Sequence, residues 1–157
     1  LNGEHRRDGA IRRVIFLDID GVLAPIRRWD RYGDLEPTCV QVLNEIVAAG
    51  GADVVVSSTW RHGKTVAELQ EMLDAHGFAG KVVGKTASDL PGATREREIA
   101  AWLAEHPVRD YVIIDDHGDM GALRERLVQT HPARGLQPDD GPRAIAMLLK
   151  LFPGAAL

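Results

Sequence analysis

Cysteine is nearly absent. The single thiol, Cys39, rules out an internal disulfide and a zinc–thiolate site. Such usage is typical of a reducing interior and predicts a cytoplasmic location. Long apolar runs are also missing. A membrane span needs about 20 consecutive apolar residues, and the longest run here is the short stretch Ala144–Leu149. The N-terminus is charged and has no apolar segment, so it is not expected to be a secretory signal. An excess of positive charge is lacking too, because the net charge is −4 and the isoelectric point about 5.8. That is not the body of a dedicated nucleic-acid binder, although a local basic patch is compatible with it. No internal repeat or low-complexity tract is visible.

What is present suits one compact domain. The chain has 157 residues, 45% of them hydrophobic and 27% charged. A domain of that length buries roughly two-thirds of its unfolded surface, so it needs no metal or disulfide to fold. Residues 1–10 are polar and aperiodic and read as a flexible tail. Residues 11–157 read as a single domain with no linker inside it.

Short apolar runs alternate with helical patterns. Val14-Ile15-Phe16-Leu17, Val54-Val55-Val56 and Tyr111-Val112-Ile113-Ile114 have the β-branched and aromatic character of buried strands. Lys81-Val82-Val83 and Leu127-Val128-Gln129-Thr130 are weaker strand candidates. A helix is expected from Pro37, with Val40, Leu43 and Val47 on one face and Gly50-Gly51 as its stop. Thr65-x-x-Glu68 has the form of a capping box before a second helix. Thr94 suits the cap of a third, with Ile99, Trp102 and Leu103 inward. Pro142 lies early in a last helix running through Leu151. The order βαβαβαβ(α)βα predicts an α/β fold, a three-layer Rossmann-like sandwich with a mostly parallel five-stranded sheet. In such sheets the chemistry sits at the carboxyl ends of the strands.

Polar residues cluster at those ends. The first strand runs into Asp18-Ile19-Asp20-Gly21, the second into Ser57-Ser58-Thr59 and the fourth into Asp115-Asp116, with Asp119 close behind. Two carboxylates straight after a buried strand are costly unless something cationic sits beside them, and Arg95 or Arg97 is available. These parts suit one reaction type. A carboxylate attacks a phosphate ester, and a second acid protonates the leaving group and later activates water. A magnesium ion between the carboxylates offsets their repulsion of the phosphate. A hydroxyl and an arginine at a helix start hold the remaining phosphate oxygens.

With those residues in place, the chain resembles the haloacid dehalogenase (HAD) superfamily of phosphohydrolases over about residues 13–150. The resemblance rests on four motifs in order: Phe16-Leu17-Asp18-Ile19-Asp20-Gly21-Val22-Leu23, Val54-Val55-Val56-Ser57, Arg95 followed by Ile99, and Ile113-Ile114-Asp115-Asp116. The gaps of 39, 38 and 20 residues between Asp18, Ser57, Arg95 and Asp115 each allow about one helix and one strand. The resemblance implies a catalytic domain with Asp18 as nucleophile, Asp20 as general acid/base, Ser57 as the phosphate-binding hydroxyl and Arg95 as the phosphate-binding cation. It implies Mg2+ held by Asp18, the Asp20 carbonyl, Asp115 and an acid supplied by Asp116 or Asp119. Arginine at the third motif is a variant of the commoner lysine. Within the superfamily, Ser57-Ser58-Thr59-Trp60-Arg61 followed by Asp115-Asp116 looks most like the small domain associated with bacterial RNA-repair proteins. Relatives of that type act on phosphate at polynucleotide ends. No kinase P-loop or ligase motif accompanies it here.

The 16 residues from Gly21 to Glu36 have room for a turn and a hairpin, not a cap domain, so an open site without a sizeable cap is expected. Arg27, Arg28 and Trp29, with Arg31 and Tyr32, follow the nucleophile and suit a phosphate backbone and a stacked base. Ser58 and Arg61, with His62 and Lys64, are further substrate-contact candidates. Blander roles compete: Trp60 packs, His62, His117 and His131 lie on the surface, and Cys39 is a small buried hydrophobe. The expected partner is a phosphorylated substrate, a nucleic-acid end first, with no membrane. A small-metabolite phosphatase comes next. A phosphoacceptor signalling domain or a non-catalytic binding module is disfavoured by Asp20 and by the completeness of the four motifs.

Overall fold

The computed structural model describes residues 12–26, 34–87 and 92–150. The expected tail, the flap residues Arg27, Arg28 and Trp29, and the last helix's end at Leu151 lie outside the described residues. Five strands are present: β1 (Arg13–Leu17), β2 (Ala52–Val56), β3 (Val82–Lys85), β4 (Asp110–Asp115) and β5 (Leu127–Gln129). The sheet order is β3-β2-β1-β4-β5, and every pairing is parallel. β1 is therefore the central strand. Leu17 pairs with Val56 on one side and with Ile114 on the other. The chain fills one side of β1 with β2 and β3 before crossing to β4. The switch point thus lies between β1 and β4, where a crevice opens at the carboxyl ends.

Three helices link strands, α1 (Pro37–Gly50), α2 (Val66–Asp74) and α3 (Arg95–Glu105), and α4 (Asp140–Leu149) follows β5. Their ends follow local chemistry. Pro37 opens α1, and Gly51 closes it in the left-handed region at φ 61°. Thr65 and Glu68 form the full capping box of α2. The Thr94 hydroxyl accepts from the Arg97 N–H and caps α3. The optional helix before β5 is a 3-10 segment, Gly121–Arg126. The β3 candidate is displaced to Val82–Lys85, beyond a register shift between Val54 and Val55 of its neighbour.

Side-chain alternation along the strands makes three layers. Ile15 and Leu17 of β1 join Val54 and Val56 under α1, α2 and α4, meeting Leu43, Ile46, Leu69 and Leu148. Val14 and Phe16 face the other way with Val55 and Ile113, against Ile99 of α3 and Met120. Phe16 meets Trp102 and Tyr111 edge-on, with ring centroids 5.5 and 5.8 Å away. No sizeable cap stands over the strand ends among the described residues. No described helix is long and apolar enough to cross a membrane.

Candidate active site

The sheet's own ladder aims the polar residues. Past the end of β1, the Asp18 N–H donates to the Ile114 carbonyl at 3.0 Å. Past β2, the Ser57 N–H donates to the Leu17 carbonyl at 2.9 Å. Asp18, Ser57 and Asp115 are thereby held on the last rungs of three adjacent strands. After Asp18 the backbone turns tightly, and the N–H groups of Val22, Leu23 and Ala24 all donate to the Ile19 carbonyl. Gly21 makes this turn at φ 81°, and a Cβ there would collide with the Asp116 carboxylate. The Thr130 hydroxyl, from the end of β5, donates to the Gly21 carbonyl at 2.7 Å.

Asp18, Asp115 and Asp116 come together at the switch point. Each offers a carboxylate oxygen, and these oxygens lie within 4.8 Å of one another. Asp18 and Asp115 are buried. Burial raises the Asp18 pKa to about 8, with the Asp115 charge adding to the rise and Arg95 opposing it. Burial also raises the pKa of Asp115, while Arg95 and the His117 N–H, 2.9 Å from its Oδ1, pull it down.

Arg95 is the cation at this cluster. One guanidinium nitrogen lies 2.5 Å from Asp115 Oδ2 and 3.5 Å from Asp18 Oδ1. Burial disfavours its charge, but Asp115 and Asp18 outweigh burial and hold its pKa above the ordinary arginine value. Arg97 is exposed, so geometry selects Arg95 from the two candidates. Asp116 belongs to the cluster, while Asp119 is exposed on the wall of an adjoining cavity of about 360 Å³. Arg95, His62 and His117 also line that cavity.

A divalent cation fits this donor set. Three carboxylates converge, two of them buried, and burial together with the Asp115 charge raises the Asp18 pKa despite Arg95. The Asp20 carboxylate stands outside the cluster. Its Oδ2 accepts from the Trp60 indole N–H at 2.9 Å, and its Oδ1 is buried with no hydrogen-bond partner. The Ser57 hydroxyl is likewise buried and unpartnered. Buried polar atoms without partners are uncommon in native folds, and a site awaiting a ligand is one reason for them.

Two expected substrate contacts have other work. Ser58 is buried, and its Oγ accepts from the Trp60 N–H to cap the 3-10 turn Thr59–Arg61. Arg61 is only 2% exposed. Its guanidinium donates to the carbonyls of Ser57, Ser58, Thr86 and Ala87 and pairs with Glu98 at 3.0 Å. All its donor directions are consumed, leaving none for a phosphate. The Arg61 expectation is therefore corrected, and the residue is a clamp beneath Ser57. Its partners Glu98, Thr86 and Ala87 come from distant elements, and no local pattern announces them.

A central parallel strand that delivers one aspartate into a buried acidic cluster, with a second two residues later, is the arrangement of a HAD-like domain. More narrowly, the chain belongs to the family of HAD domains in Swiss Army Knife RNA repair proteins, whose family model matches residues 14–140. No curated protein matches the chain. Among solved structures, a hypothetical protein of Xanthomonas campestris is similar at 15% identity and TM-score 0.45, covering 93% of this chain and 87% of that one. A putative HAD superfamily (subfamily III A) hydrolase of Legionella pneumophila is similar at 15% identity and TM-score 0.44, covering 96% and 90%.

Proposed function

We propose that this chain is a magnesium-dependent phosphomonoesterase that works through an aspartyl-phosphate and acts on phosphates at polynucleotide ends. The observation that carries the reading is the buried Asp18–Asp115–Asp116 cluster with Arg95 laid across it. Asp18, Asp115 and Asp116 would hold Mg2+, whose charge would let an anionic ester approach three carboxylates.

The chain's own groups account for the rest. The Asp18 carboxylate attacks phosphorus, and the bond from phosphorus to the ester oxygen breaks. Asp20 gives its proton to that departing oxygen. Asp20 then takes a proton from water as the water oxygen attacks phosphorus, and the bond to Asp18 breaks. The Ser57 hydroxyl and Arg95 bind the non-reacting phosphate oxygens. Arg95 stands in the first turn of α3, so the positive end of that helix adds to its charge.

The substrate class is supported by the family's occurrence in RNA repair proteins and by the lack of a sizeable cap. The net charge of −4 favours a second reading, a small nucleotide or sugar phosphate. Phosphate release with and without magnesium tests both. The panel holds an aryl phosphate, nucleotides, sugar phosphates and oligonucleotides phosphorylated at either end, with Asp18→Asn as control. The expected result is magnesium-dependent release, fastest from an oligonucleotide end. Preference for a small metabolite selects the second reading, and no release from any substrate rejects both.

A further inference from the structure

We infer that Trp60 is a positioning residue that fixes the carboxylate of Asp20 by holding its Oδ2 as an acceptor. The inference rests on the reading of Asp20 as general acid/base.

Four observations converge. The Trp60 indole N–H donates to Asp20 Oδ2 at 2.9 Å. The indole is half-buried and packed against the main core, so it is not a swinging surface group. Its backbone is anchored as well, because the Trp60 N–H donates to Ser58 Oγ at 3.2 Å. The other carboxylate oxygen, Oδ1, is buried and has no partner.

An indole N–H only donates, so Oδ2 cannot carry a proton toward it while the bond stands. Oδ2 is therefore held as an acceptor, and the plane of the carboxylate is fixed with it. A carboxyl on a short side chain has two soft torsions, and the hydrogen bond removes much of that freedom. Proton transfer to a leaving oxygen depends on such alignment. Trp60 follows β2 and Asp20 follows β1, so the bond also couples the loop carrying Ser57 to the loop carrying the acid.

The test compares wild type, Trp60→Phe and Asp20→Asn on two phosphomonoesters. One, p-nitrophenyl phosphate, has a leaving group that needs little protonation. The other, a simple alkyl phosphate, has one that needs it strongly. Phenylalanine keeps much of the packing and deletes the donor. Trp60→Phe should lower kcat on the alkyl ester about tenfold more than on the aryl ester, with KM little changed. Asp20→Asn should show the same bias more strongly. A second readout needs no turnover. Of the three tryptophan indole N–H signals, that of Trp60 should move most in an Asp20→Ala protein labelled with nitrogen-15, while that of Trp102 stays in place. An equal loss on both esters with Trp60→Phe, or an unmoved Trp60 signal, overturns the proposal. If Asp20→Asn shows the bias and Trp60→Phe does not, the role of Trp60 fails while the phosphatase reading stands. If wild type releases phosphate from neither ester, both fail. If Trp60→Phe does not fold, the indole signal decides on the native tryptophan.

Discussion

Two arginines stand at the carboxyl edge of the sheet, and they are opposites. Arg61, at the end of β2, is nearly sealed from solvent, and four carbonyls and Glu98 consume its donors. Arg95, at the start of α3, faces two crowded carboxylates and is the more exposed of the two in a cavity that both arginines line. Around Arg61 charge and hydrogen bonds balance locally. Around Arg95 they do not, because Asp18 and Asp115 are raised above ordinary carboxylate values and Ser57 Oγ has no partner. Two environments a few residues from the same strand ends thus divide the labour. The balanced one is scaffold, and the frustrated one is where a ligand lowers the free energy.

The largest expected effect separates chemistry from folding. Asp18→Asn should reduce phosphate release by more than about a thousandfold, as loss of a nucleophile does. Its melting temperature in EDTA at neutral pH should be little changed, because Asp18 with a pKa of about 8 is already protonated there and asparagine keeps its shape. Near-normal activity in this variant would remove Asp18 from the mechanism.

The two arginines should part company in a paired experiment. Arg61→Met strands four carbonyls and the partly buried Glu98 carboxylate, and should cost about 3–5 kcal/mol in denaturant unfolding. Arg95→Met should lower kcat about a hundredfold or more, as removal of one donor to transition-state charge does. It should cost much less stability than Arg61→Met. Equal destabilisation by both would erase the contrast.

A smaller effect concerns pH. Asp18 has a pKa of about 8 when folded, against an ordinary value of 3.8. Between those limits the cation-free native state binds a proton that the unfolded chain releases. The stability from Asp18 is therefore full below the ordinary value and is lost as pH rises through about 8. On the proposed function, a divalent cation at the cluster would replace that proton. The rise in melting temperature on adding magnesium should be larger at pH 8 than at pH 5. A rise independent of pH would place the cation elsewhere. The smallest effect belongs to Arg97→Ala, at an exposed position of α3, and stability should change by no more than about 0.5 kcal/mol.

The division between scaffold and site also governs what was legible in the sequence. Strand β1 is four apolar residues in a row, and the caps Thr65 and Thr94 are local patterns, so the fold could be read directly. Asp18, Arg95, Asp115 and Asp116 could be read as one site because parallel topology brings successive strand ends together. Arg61 could not be assigned correctly, since its partners Thr86, Ala87 and Glu98 lie on other elements. Trp60 was expected only to pack, and its partner Asp20 is 40 residues away in the chain. The β3 boundary slipped because an edge strand with a register shift carries a weak pattern.

The place of β1 between β2 and β4 has a consequence for biosynthesis. The strand that leads to Asp18 emerges from the ribosome before the other four and gains its β2 neighbour soon after. Its other flank waits for β4, roughly a hundred residues later in the chain. Until then one edge of the most apolar strand is open to stray pairing. The acidic cluster does not exist on that partial chain, because Asp115 and Asp116 arrive with β4. A nascent chain halted before β4 should therefore be sticky and inert together, and the same late event that ends the one condition ends the other.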